Sequence, residues 1–145
     1  MKALYAGSFD PFTIGHMDIA RRSLMMFDEL VIGIGINECK KCESSVEERI
    51  KIIKKYFRDD ERVFVTSFQG LTVDFARSIN AGVLVRGVRN GTEFAKEKEL
   101  ADINLDILGM PTVMIPAKPA LSFVSSSMVR ELRNNGFDIS EFLPQ

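Results

Sequence analysis

The sequence has no tryptophan, a single histidine, two cysteines and five prolines, and each scarcity narrows what the chain can be. One histidine and two cysteines fall short of the four nitrogen and sulfur ligands of a typical structural zinc site. Charge of one sign is missing as well. With 19 basic and 20 acidic side chains the net charge is −1, which argues against broad electrostatic binding to nucleic acid or an anionic membrane and leaves room for a local anion site. No stretch approaches the roughly 18 uninterrupted apolar residues that a membrane span needs. The N-terminal run Met1 to Gly7 reaches glycine and then Asp10 too early for the apolar region of a signal peptide. Two cysteines without such a signal point to a reducing compartment and no disulfide framework. The expectation is a cytoplasmic protein with no nucleic-acid and no membrane partner.

What is present is ordinary for a globular chain: 145 residues, 46% apolar and 27% charged. That length suits one domain. No internal repeat, low-complexity tract or linker divides residues 1–145. The segments alternate in kind. Lys2 to Ala6 is a short β-prone run, ended by Gly7-Ser8-Phe9-Asp10-Pro11. Met17, Ala20, Leu24 and Phe27 then recur at helical spacing. Leu30 to Ile36 is a continuous apolar run, suited to a strand buried on both faces. Ser44 and Glu47 form a capping-box pattern ahead of the helical positions Val46, Ile50, Ile53 and Phe57. Arg62 to Thr66 reads as strand and Leu71 to Ile79 as helix. Gly82 to Val85 is strand again, and Leu100, Ile103 and Ile107 mark the next helix. Pro111 to Ile115 and Ser125 to Arg133 supply the last pair. Such alternation predicts an α/β fold, a single doubly wound, Rossmann-like domain with a mostly parallel five-stranded sheet.

Ligands of that architecture bind beyond the carboxyl ends of the strands, so the loops after the first, second, fourth and fifth strands carry the interest. Two common phosphate devices are absent. There is no GxxxxGK[ST], and Gly33-Ile34-Gly35-Ile36-Asn37-Glu38 has Glu38 where a dinucleotide fingerprint needs its third glycine. The first loop, Gly7 to His16, runs from a strand end into a helix whose N-terminal amides suit an anion. His16 falls on the first turn of that helix, aimed at the same place. Arg86 and Arg89, each beside a glycine, can grip phosphates from a strand end. The run Ser125-Ser126-Ser127 is an N-cap and also a nest of amides and hydroxyls for a triphosphate, with Arg130 one turn on. Cys39-Lys40-Lys41-Cys42 is a C-x-x-C that lacks the helix-start placement of a redox pair, and its cysteines read as incidental loop residues.

Together, G-S-F-D-P-x-T-x-G-H at Gly7 to His16 and S-S-S-x-x-R at Ser125 to Arg130 resemble the T/HxGH and ISSTxxR signatures of the nucleotidyltransferase superfamily. Within it the chain looks like the bacterial phosphopantetheine adenylyltransferases. Thr13 stands where nicotinamide-nucleotide and glycerol-phosphate relatives have histidine, Val85 to Arg89 is similar to the family's second arginine motif, and Phe142-Leu143-Pro144 to its C-terminal motif. The resemblance implies transfer of the adenylyl group of ATP to 4′-phosphopantetheine, giving dephospho-coenzyme A and pyrophosphate, with Mg²⁺ bridging the ATP phosphates and no protein ligand to the metal. It further implies a homohexamer and coenzyme A as feedback inhibitor. The catalytic residues it implies are His16, Lys40 and Arg89. Its ATP-binding set comprises Ser8, Phe9, His16, Gly87, Val88, Arg89, Glu97, Leu121, Ser122, Phe123, Val124, Ser125, Ser126 and Ser127. Its phosphopantetheine-binding set comprises Ser8, Lys40, Leu71, Thr72, Arg86 and Asn104. Two departures from the family pattern fall near the adenosine: Lys96 in place of an aromatic residue, and Leu121 in place of a tryptophan.

Overall fold

A computed structural model describes residues 1–36 and 42–145. In chain order the elements are β1 (Lys2–Gly7), α1 (Ile14–Ser23), β2 (Glu29–Gly35), α2 (Val46–Tyr56), β3 (Val63–Phe68), α3 (Thr72–Ser78), β4 (Val83–Val88), α4 (Gly91–Asp106), β5 (Thr112–Pro116) and α5 (Ser126–Asn134). Short 3₁₀ turns occupy Pro119–Leu121 and Ser140–Phe142. The strands form one sheet in the order β3-β2-β1-β4-β5, and every pairing is parallel. The α/β class and the strand–helix alternation are as the sequence predicts.

Burial explains why these segments are strands. Alternate residues of β1 point to opposite faces. Ala3 and Tyr5 join Met17, Ile19 and Ala20 of α1 and Ile53 of α2 on one side. Leu4 and Ala6 join Val73 and Ala76 of α3 on the other. A strand covered on both faces must be apolar throughout, and β2 is accordingly buried from Leu30 to Gly35. The chain winds from β1 outward to β3, then returns to lay β4 against the free side of β1. Tyr5 pairs with Ile32 on one flank and Val85 on the other. The switch point therefore lies between β1 and β4.

One local reading is corrected. The cap of α2 is Ser45, whose hydroxyl accepts from the Glu48 amide; the Ser44–Glu47 box is one residue out of register, because the Ser44 hydroxyl is bonded to Asp10 instead. The helix marked by Leu100, Ile103 and Ile107 exists as α4, but those side chains are exposed and α4 has no buried residue.

Candidate active site

At the switch point a cleft of about 510 Å³ opens beyond the ends of β1 and β4. Its floor needs two glycines. A Cβ on Gly7 would stand 3.1 Å from the Phe9 ring, and one on Gly87 would stand 3.0 Å from Cγ1 of Ile19 in α1. Phe9 itself has φ 49°, a left-handed conformation that costs a bulky residue energy. An aromatic cage holds it there, with ring centres of Tyr5, Phe12 and His16 at 5.1, 5.5 and 5.0 Å.

His16 is oriented by the start of α1. Thr13 is the N-cap, and its side chain accepts from the His16 amide at 3.3 Å. In return the Thr13 amide donates to His16 Nδ1 at 2.9 Å. This is a capping box with histidine in the role usually played by glutamate. Since Nδ1 accepts, the proton of the neutral ring sits on Nε2. Burial, together with the positive charges of Arg86 and Arg89, pushes the His16 pKa down to about 4. At neutral pH the ring is thus an uncharged Nε2–H donor held beside the cleft.

The two arginines of the β4 end are each seated by a carboxylate of α4. Arg86 donates through Nε to Glu97 at 2.9 Å and through a terminal nitrogen at 2.7 Å, and also reaches the Ala6 carbonyl at 2.8 Å. Arg89 is joined to Glu93, which accepts from its backbone amide at 2.9 Å and from its guanidinium. Burial alone would raise the Glu93 pKa, but its bonds to Arg89 and the charge of Arg86 outweigh that and hold it below the ordinary value. Asn90 caps α4 by accepting from the Glu93 amide at 2.9 Å.

The third wall is the start of α5. Ser125 caps it, accepting from the Met128 amide at 3.1 Å, while first-turn amides of a helix lack intrahelical partners. The Ser126 hydroxyl donates to the Pro11 carbonyl at 2.8 Å, and Arg130 donates to the Asp10 carbonyl. A second, smaller cavity of about 220 Å³ lies on the α3–α4 side, with Leu71, Thr72, Leu100 and Asn104 in its lining. Ala6, Arg86 and Glu97 border both cavities.

Most of the residues singled out in the sequence converge here. Ser8, Phe9, His16, Gly87, Val88, Arg89, Glu97, Leu121, Val124 and Ser125 to Ser127 line the larger cleft. Leu71, Thr72 and Asn104 line the smaller one. Ser122 and Phe123 line neither: the Ser122 hydroxyl turns to the Pro119 carbonyl at 3.0 Å, and Phe123 is exposed, its ring against Phe142. Lys40 lies outside the described residues. Cys42 is disulfide-bonded, which corrects the expectation that the chain carries no disulfide framework and that its cysteines are incidental; the chain's other cysteine, Cys39, lies outside the described residues. Thr13 and Glu93 were not among the candidates. The i, i+4 spacing from Arg89 could have flagged Glu93. Among the described residues no cluster of three or more His, Cys, Asp or Glu side chains could hold a metal ion, and no helix is long and apolar enough to cross a membrane.

Comparison with known proteins adds three findings. The cytidylyltransferase-like family model matches residues 4–132. The phosphopantetheine adenylyltransferase of Porphyromonas gingivalis strain W83 is 50% identical over 143 residues, covering 99% of this chain and 94% of that protein. That of Bacteroides fragilis is 44% identical over 144 residues, covering 99% and 96%. Among solved structures, a bifunctional NMN adenylyltransferase/ADP ribose pyrophosphatase from Francisella tularensis, complexed with AMP and a manganese ion, superposes with a TM-score of 0.71 at 14% identity. The match covers 98% of this chain and 44% of that one, a likeness of fold alone.

Proposed function

The chain belongs to the cytidylyltransferase-like family and, within it, to the phosphopantetheine adenylyltransferases, and from that premise we propose how its two cavities divide the work. The reaction joins ATP and 4′-phosphopantetheine to give dephospho-coenzyme A and pyrophosphate. One observation carries the assignment: two cavities of unequal size meet at Arg86. The larger one, floored by glycine and walled by the α5 start, takes ATP. The smaller one, with its leucines, Thr72 and Asn104, takes the pantetheine arm and leaves the phosphate end at Arg86.

The attacking group is a phosphate, already largely anionic at pH 7 because its second pKa is about 6. It needs no general base, and direct in-line attack on the α-phosphate needs no covalent intermediate. Catalysis then rests on alignment and on charge stabilisation. His16 donates through Nε2–H to the α-phosphate oxygens as charge builds there. Arg89 and the α5 amides hold the outer phosphates, Lys40 neutralises the reacting ones, and Ser8 contacts the acceptor phosphate. Ser8, Phe9, Gly87, Val88, Leu121, Val124 and Ser125 to Ser127 contact ATP. Glu97 faces the adenosine end and also seats Arg86.

Mg²⁺ neutralises charge on the ATP phosphates when bound. The donor set fits an ion whose ligands come mainly from those phosphates, since Glu93 and Glu97 are already taken by Arg89 and Arg86. The same reading includes residues 1–145 as one catalytic domain, a cytoplasmic location, coenzyme A as feedback inhibitor and a homohexamer.

Pyrophosphate release from ATP and Mg²⁺, with and without 4′-phosphopantetheine, tests the assignment. Release that requires the acceptor and collapses in His16→Ala is the expected result. Undiminished release in the variant would overturn the role given to His16, and no release with ATP still bound would overturn the acceptor.

A further inference from the structure

Arg49 of α2 lines neither cavity and is 4% exposed, and a guanidinium so deeply buried has to be matched by acceptors. It donates through a terminal nitrogen to the Ser8 carbonyl at 2.7 Å and through Nε to the Ser45 carbonyl at 3.4 Å. One acceptor lies in the β1–α1 loop and the other at the cap of α2. Ser8 and Phe9 line the larger cleft, and no residue of α2 does. A trans peptide group is planar, so its C=O and N–H point in opposite directions. The Ser8 carbonyl belongs to the peptide whose N–H is that of Phe9. With the carbonyl turned toward α2, the Phe9 amide is turned away from it. Among the described residues that amide donates to no backbone carbonyl. The φ of Phe9, 49°, is the rotation between this peptide and the Phe9 side chain. A bulky residue keeps such a conformation only where its surroundings over-determine it. The aromatic cage fixes the ring end of that rotation, and Arg49 fixes the peptide end.

We propose that Arg49 is a positioning residue for ATP: by holding the Ser8 carbonyl it keeps the Phe9 amide aimed into the larger cleft, as a donor to a phosphate oxygen of the nucleotide. The proposal rests on the assignment of that cleft to ATP. Arg49 acts through the backbone and touches neither substrate, unlike Arg86 and Arg89, which line the cleft themselves. Turning the Ser8–Phe9 peptide changes ψ of Ser8 and φ of Phe9. It leaves the Ser8 side chain where the end of β1 puts it, so the acceptor is spared.

Calorimetric titration of ATP with Mg²⁺, and of adenosine, into wild type, Arg49→Met and Arg49→Lys decides it, with thermal unfolding run alongside. Arg49→Met keeps the length of the side chain and removes every donor. It should weaken ATP about tenfold, the scale of one hydrogen bond to a charged group. Adenosine should weaken less than about twofold, because it carries no phosphate for the amide to meet. Arg49→Lys, which keeps the charge and a donor for the Ser8 carbonyl, should recover part of the ATP affinity. In steady-state kinetics KM for ATP should rise in step, while KM for 4′-phosphopantetheine moves less than about twofold. ATP and adenosine weakened alike, or ATP binding unchanged in folded Arg49→Met, would overturn the positioning role. If Arg49→Met does not fold, Arg49→Lys carries the same comparison: ATP weakened more than adenosine supports the role, and equal or absent effects overturn it. Wild type that binds ATP no more tightly than adenosine would instead overturn the assignment of the cleft.

Discussion

His16 shows how one residue's surroundings set its chemistry. A free imidazole titrates near pH 6.5, whereas burial and two arginines bring this one to about 4. In the free enzyme kcat/KM should therefore carry no shoulder near pH 6.5 from His16, and its protonation should appear only near pH 4. The same shift fixes a sign for stability. The unfolded chain binds the histidine proton between about pH 6.5 and 4 and the folded chain does not, so stability falls as pH drops through that window and levels below it. Calorimetry of His16→Asn should show that part of the slope flattened. His16→Ala should lower kcat by about 10²–10³, the usual cost of one donor to a developing oxyanion, with smaller changes in KM. The histidine could be read from the sequence because it is alone in a strand–glycine–helix loop. The donor atom could not, since it depends on the Thr13 amide meeting Nδ1 in space.

At the scale of elements, the strands were legible because burial on two faces leaves an unbroken apolar run, as from Leu30 to Ile36. Caps were legible in kind and not in register. A run such as Ser44-Ser45 offers two equivalent hydroxyls, and only the position of Asp10 decides which is spent elsewhere. The Arg86–Glu97 pair lies eleven residues apart across a strand, a turn and a helix, a separation with no periodic signature. Helix α4 is the most telling element. It has no buried residue; its cap and its ion pairs to Arg86 in β4 and Arg89 just beyond it fasten its first half. Asn90→Ala removes the cap and should cost about 1 kcal/mol, read as a lower urea midpoint at unchanged slope. Its effect on activity should follow the seating of Arg86 and Arg89.

For the whole molecule, the overall winding was readable from alternation alone, while the meeting of two cavities was not, because it needs β4 to return beside β1. The same α4, with its C-cap Ile107, leaves Phe94, Ile103, Leu105 and Ile107 exposed, large apolar side chains of the kind a subunit interface covers. The proposed homohexamer would cover them. Sedimentation should give a mass about six times that of one chain, and Ile103→Glu with Ile107→Glu should shift the distribution to smaller species. Arg86 and Glu97, bordering both cavities, have an evolutionary consequence. If the cavities hold the two substrates as proposed, a substitution at either position is felt by both at once, so neither specificity can drift alone through this pair. On the same assignment, divergence toward a new acceptor would begin at residues that line the smaller cavity only, such as Thr72 and Asn104, with the shared ion pair left in place.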